Sequence, residues 1–243
     1  MAAGFRRPHL CCVIQSIFTI ITKYVTAKEN KSKVAIIGLG NIGQVVATNL
    51  TNGNRSVILA DRNMEKAKSL SEKLGPLARP MEIGAAIKEA DIVIMAIWFS
   101  AIKELVYQYE ALLEGKIIVD PSNPIAPDGK GGFVKAIDEK ESAGRLIAGL
   151  MPKGAKLAKA FGTLSAASLA NTARQKPESA VLFYATDDTG INAEIEDLLR
   201  DGGFEPLRVG DIDQSIRIEV FGDLHEFGAL GKTVTLMEAR QKI

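Results

Sequence analysis

Short apolar runs recur along the chain, with polar stretches of helical period between them. Lys33 to Ile37 reads K-V-A-I-I, and Ser56–Ala60, Asp91–Ile97, Lys116–Asp120, Ser179–Thr186 and Phe204–Val209 repeat the theme. Runs of this length, rich in β-branched residues, predict strands. D-I-V-I-M-A-I and K-I-I-V-D are apolar at nearly every position, as strands covered on both faces are. Between the strands, Val45, Val46 and Leu50 sit at helical spacing before Asn52-Gly53. A further helix is predicted over 191–200, capped by Asp187-Asp188 and stopped by Gly202-Gly203. Beyond it, 212–243 mixes glycines with apolar residues and predicts a broken helical region. This alternation predicts an α/β fold: a doubly wound, mostly parallel sheet with a small C-terminal extension.

At 243 residues, 47% hydrophobic and 24% charged, the chain lies within globular values, with room for one large domain and a modest extension. Its net charge of +1 hides an asymmetry. Arg6, Arg7, Lys23, Lys28, Lys31 and Lys33 stand against Glu29 alone in the first 33 residues, so the body is mildly acidic. Without a basic stripe it has nothing to offer a phosphate backbone, and no nucleic-acid partner is expected. The only cysteines, Cys11 and Cys12, are adjacent, which excludes a disulfide framework and suits a reducing, cytoplasmic setting. With His9 beside them they still lack the spacing of a zinc site, so no metal is expected.

Leu10 to Ile21 is apolar for twelve residues, interrupted by Gln15, Ser16 and Thr19, and a spanning helix needs ~20. Arg6 and Arg7 ahead of it imitate a targeting signal, but no small-x-small cleavage site follows. Three readings of 1–32 stay open: a disordered tail or a translation start near Val25, a targeting segment, or an interfacial anchor. The last would be the only membrane contact.

The first strand runs straight into Gly38-Leu39-Gly40-Asn41-Ile42-Gly43, ahead of the first helix. In a strand–turn–helix context, G-x-G-x-x-G is the fingerprint of a Rossmann dinucleotide site. Gly38 permits the tight turn, Gly40 lets the backbone approach a pyrophosphate, and Gly43 lets the helix lie close on the strand. The helix start adds unpaired amides and a positive dipole end for the phosphates, which places Asn41 and Ile42 at the cofactor as well. Asp61 ends the second strand, eighteen positions beyond Gly43, close to the ~20 expected of the acid that holds the adenosine ribose. That acid would welcome a free 2′-hydroxyl and repel a 2′-phosphate, whereas Arg62 and Lys66, four apart, suit the phosphate. NADP(H) is the first reading and NAD(H) the second. The expected organisation is an extension over 1–32, a dinucleotide-binding domain over 33–175, and a strand–helix portion over 176–243 closing an acceptor pocket.

Ligands of open α/β sheets lie beyond the carboxyl ends of the strands. Ala96, Ile97 and Trp98, and Asn123 and Pro124 within D-P-S-N-P, are therefore candidate nicotinamide and ribose contacts. The segments V-A-I-I-G-L-G-N-I-G, A-D-R-N-M-E-K, S-N-P-I and K-G-A-K-L-A-K-A-F-G-T-L appear in that order from Lys33 onward. Together they resemble the NADP oxidoreductases dependent on the deazaflavin coenzyme F420, and are similar to the NADPH-binding domains of six-transmembrane metalloreductases. The resemblance implies hydride transfer between NADP(H) and a small-molecule redox acceptor, a deazaflavin or flavin. It also implies that Lys159, Phe161 and Thr163 line the pocket beside the nicotinamide; by its charge, Lys159 is either a positive electrode for an anionic acceptor or a solvated lysine at a strand end. The chain departs from the pattern at Gly162, where Asn is usual, and at Asp61, where a small hydroxyl residue is usual. His225, Phe227, Gly228 and Gly231 are further acceptor-side candidates, and a homodimer is left open.

Such chemistry resides in two flat rings held face to face, so the absence of an obvious acid–base pair is no objection. The one Tyr-x-x-x-Lys match, Tyr24 to Lys28, precedes the first strand. Two alternatives remain. One is a pyrroline-5-carboxylate reductase-like enzyme, which would need helices where Ala180–Tyr184 reads as strand. The other is a non-catalytic NADP(H)-sensing module.

Overall fold

The structure is a computed structural model and describes residues 31–243; the readings of 1–30 lie outside the described residues. Residues 33–243 form one unit. Eight strands make its sheet: β1 (Val34–Ile37), β2 (Val57–Ala60), β3 (Ala78–Pro80), β4 (Ile92–Met95), β5 (Ile117–Asp120), β8 (Lys156–Lys159), β9 (Val181–Ala185) and β10 (Glu205–Gly210). Between β5 and β8, β6 (Ile125–Pro127) and β7 (Phe133–Lys135) form a separate antiparallel hairpin. The strand order is β10-β9-β8-β5-β4-β1-β2-β3. Every neighbouring pair is parallel except β8 and β9, which meet at the single pair Lys159 and Ala185. The chain moves outward from β1 first to one side and then, from β4, to the other, so the topological switch point lies between β1 and β4.

The reason for two layers of helix is visible in β1 and β4, whose eight residues are all buried. Alternate side chains enter opposite cores. Val34, Ile36, Ile92 and Ile94 pack with α1 (Asn41–Asn52) and α2 (Met64–Leu74). Ala35, Ile37, Val93 and Met95 pack with α3 (Ile83–Glu89) and α4 (Phe99–Gln108). Each buried isoleucine or valine contributes roughly 1.5–3 kcal/mol, which makes the strand ends a rigid platform for the loops above them.

The portion expected over 176–243 continues the same sheet through β9 and β10. A third cluster, with Ile218, Leu224 and Val234, covers Val181, Phe183 and Ala185 of β9. Beyond β10 the expected broken helical region consists of short pieces, among them Ser215–Ile218 and Leu236–Arg240. Among the described residues no helix is long and apolar enough to cross a membrane.

Candidate cofactor and acceptor site

The turn after β1 explains its glycines separately. Gly38 has φ +92°, and a Cβ there would lie 2.5 Å from the Ala96 carbonyl oxygen. A Cβ on Gly43 would lie 2.0 Å from the Gly38 carbonyl oxygen, so this glycine brings α1 onto the turn. Gly40 is different: its φ is −70°, and apart from its chain neighbours no protein atom lies within 4 Å of a Cβ built on it. Neither strain nor internal packing requires a glycine there, and the bare backbone leaves room for close approach of a ligand. Gly40 is also the N-cap of α1, no side chain caps that helix, and Gly40, Asn41 and Ile42 line a cavity of about 820 Å³. The residues present therefore fit a dinucleotide pyrophosphate.

At the end of β2, Asp61 has a role that the sequence did not reveal. Its Oδ2 accepts the Leu39 N–H at 2.8 Å and its Oδ1 accepts the Asn63 N–H at 3.0 Å, so the carboxylate latches the glycine turn to β2. Lys66 Nζ lies 3.9 Å from the same carboxylate. Helix α2 begins at Met64 with Asn63 as its cap, so Arg62 precedes the helix rather than standing in its first turn. Asp61, Arg62 and Lys66 nevertheless all line the cavity.

At the far end, Ala96, Ile97 and Trp98 line the cavity from the β4 side, with Ser122 and Asn123 from β5. Pro124 is buried behind this wall, outside the lining. The Asn123 amide donates from Nδ2 to the Gly162 carbonyl at 2.9 Å, while its Oδ1 accepts the Val220 N–H at 2.7 Å. His225 lines the cavity with both ring nitrogens engaged. Nδ1 accepts the Phe227 N–H at 3.0 Å, which leaves the proton on Nε2 to donate to the same Gly162 carbonyl at 3.1 Å. Burial holds this imidazole below its ordinary pKa. The segments around 123, 162–165 and 220–227 are thus stitched into one wall, reinforced by the Thr163 carbonyl accepting the Glu226 N–H at 3.3 Å. Gly162, the departure from the usual Asn, packs on Pro121: a Cβ there would lie 2.7 Å from the Pro121 carbonyl oxygen.

Three expectations for the acceptor side are corrected. Lys159 is 2% exposed, and its ammonium pairs with Asp120 at 2.8 Å instead of facing the cavity. The two are direct partners across β5 and β8, so an unpaired charge on either would be costly. Phe161, at φ +63°, turns its ring into the main core. Thr163 is buried at 1% exposure and lies outside the cavity lining. Gly162, Leu164 and Ser165 of the same segment line it instead, as do Val220 and Phe221. Opposite charges on the last residues of β5 and β8 were a signal of the Asp120–Lys159 pair. The contributions of Val220 and Phe221 carried no local signal.

Four aromatic residues, Trp98, Phe133, Phe221 and Phe227, line the cavity while each remains about half exposed or more. The lysine and arginine that line it, Lys66 and Arg62, come from the segment after β2. The cations of the lining therefore sit beyond β2 and its exposed aromatics lie elsewhere along the cavity, with Glu104 a further charged residue on α4.

Glycine turn, switch point and paired cations define the class: a Rossmann-type dinucleotide-binding protein. Residues 33–124 match a family described as NADP oxidoreductase coenzyme F420-dependent. A solved structure of a hypothetical protein from Sinorhizobium meliloti is 30% identical, with a TM-score of 0.73 over 84% of this chain and 95% of that one. The F420-dependent NADP reductase of Methanothermobacter marburgensis is 29% identical over 147 residues, which are 56% of this chain and 66% of the enzyme. Metalloreductase STEAP3 of Rattus norvegicus is 25% identical over 77% of this chain, which spans only 36% of that protein's length.

Proposed function

We propose that the chain is an NADP(H)-dependent oxidoreductase of a reducing, cytoplasmic setting, passing hydride between NADP(H) and a flat deazaflavin or flavin acceptor. The observation that carries this reading is one cavity that holds the glycine turn, two cations beyond β2 and exposed aromatic side chains at its mouth. When bound, the nicotinamide supplies the hydride chemistry. The turn's amides and Gly40 hold the diphosphate, while Arg62 and Lys66 hold the 2′-phosphate. Asp61, occupied with two backbone amides, keeps the turn in place and serves less as a selector against that phosphate. At the mouth, aromatic side chains exclude water and offer faces against which a planar ring can stack. With Lys159 paired internally, the far wall favours an uncharged ring over an anion.

The test is a titration of the purified chain with NADPH and NADH, followed by turnover with deazaflavin, flavin and ferric acceptors. Turnover with a planar acceptor is expected, and NADPH oxidation by none of them would reject this reading. A second reading is a nucleotide-binding module that hands electrons to a partner. It is favoured by the chain's spanning only 36% of the metalloreductase, and tight NADPH binding without turnover would select it. The pyrroline-5-carboxylate alternative has no footing in the C-terminal portion, where Val181–Ala185 is a strand of the main sheet.

A further inference from the structure

The helix that follows β4 lays one stripe along the cavity. Ala101, Glu104, Leu105 and Gln108 of α4 all line it, at the spacing that puts residues on one helix face. Leu105 is buried in the core that α3 and α4 cover, and Ile83 and Tyr109, which also line the cavity, pack against that same core. Tyr109 is held there by its neighbours. A Cβ on Gly84 of α3 would lie 3.3 Å from its Cε1, and its hydroxyl accepts from Gln108 Nε2 at 3.2 Å. Ile83, Leu105 and Tyr109 thus give this part of the cavity an apolar surface, with Glu104 exposed beside it.

Among the described residues two carboxylates line the cavity, Asp61 and Glu104. Asp61 is occupied by the Leu39 and Asn63 N–H groups, and the nearest cation of the lining, Lys66, stands 3.9 Å from it. Glu104 has neither a hydrogen bond nor an ion pair with any described residue. Its oxygens are the acidic groups left to meet a ligand.

We propose that the adenine of NADP(H) rests on the surface of Ile83, Leu105 and Tyr109, and that Glu104 accepts a hydrogen bond from its exocyclic amine and so selects this base. This deepens the NADP(H) reading and rests on it. In that reading Arg62 and Lys66 hold the 2′-phosphate, and the base hangs from the next carbon of the same sugar, so it lies close to them. A purine has two apolar faces and a polar edge, which an apolar surface with one acceptor beside it complements. An ionised carboxylate only accepts, and the adenine amine is a donor. In hypoxanthine a carbonyl replaces that amine, and two acceptors would then face each other.

Calorimetric titration of the full chain and its Glu104→Ala variant tests this, with NADPH and its hypoxanthine analogue as probes. The parent should bind NADPH roughly 5–30-fold more tightly than the analogue, and Glu104→Ala should abolish that preference by weakening NADPH. The variant site is exposed and helical, where alanine is well tolerated, so a native fold is expected. A carboxylate that merely faced water near the phosphates would repel both nucleotides, and its removal would tighten both alike. That result would overturn the assignment, as would equal affinities in the parent or a preference that survives in Glu104→Ala, while each leaves the nucleotide site standing. A parent chain that binds neither probe would overturn both readings.

Discussion

The two ends of the cavity are built on opposite plans. Toward β2, the glycine turn, Asp61, Arg62 and Lys66 lie within 29 consecutive residues, and both cations line the cavity while Asp61 holds the turn. Toward the acceptor, the wall is assembled from segments around 122, 162 and 225, and nearly all its polar side chains are bound to backbone. On the proposed function, the first end would recognise by charge and exposed amides and the second by shape, with polarity used internally to hold that shape. Nucleotide recognition can therefore be carried by a short local motif, whereas acceptor recognition depends on the tertiary fold.

The largest expected effect that separates the ends is Lys159→Met. Leaving Asp120 buried without its cation should cost about 3–5 kcal/mol in urea unfolding. A variant of native stability that had lost affinity for anionic acceptors would return Lys159 to the cavity. Next, two glycines of one turn should behave oppositely. Gly40→Asp should weaken NADPH about 100-fold or more, above about 2.7 kcal/mol, with stability within ~0.5 kcal/mol of the parent. Gly43→Ala should lose about 1–3 kcal/mol of stability because its Cβ meets backbone. Calorimetry and thermal melts distinguish the two patterns, and matching behaviour would undo the separation of packing from ligand approach.

Arg62→Ala should weaken NADPH about tenfold and NADH hardly at all, and equal loss for both would remove the arginine from the 2′-phosphate. The smallest effect is pH dependence at His225. The unfolded imidazole takes up a proton near 6.5, and the folded one only at lower pH, because burial disfavours the charge. Below about 6.5 the unfolded chain binds more protons, so this contribution to stability is lost as pH falls from there toward the depressed folded value, and it is flat above. His225→Gln should lack that increment in unfolding curves measured from pH 7.5 to pH 5, while an identical pH dependence in both chains would assign it elsewhere.

The same division governs what could be read from the sequence. The strand–turn–helix unit, β2, β4 and β5 were legible because their signals are local: an apolar run, a glycine spacing, a stop. β3 was not, since A-R-P has neither an apolar run nor strand propensity. It forms because β2 presents an edge to it, and an edge tolerates proline. Asp61 was legible as the residue that follows β2, but its hold on the glycine turn was not. Its bond to Leu39 spans 22 positions and exists only once β1 and β2 pair. Lys159 was placed in the cavity by likeness, but the β5–β8 register sets it directly opposite Asp120.

Trp98 is the chain's single tryptophan, 60% exposed at the aromatic mouth. Its emission overlaps the near-ultraviolet absorption of a reduced pyridine nucleotide, so the protein carries its own optical gauge of occupancy. Arrival of a reduced coenzyme should dim that signal by energy transfer, and a stacked second ring should dim it again without any attached dye. The order in which the two guests enter can be followed in a stopped-flow cuvette by watching one indole.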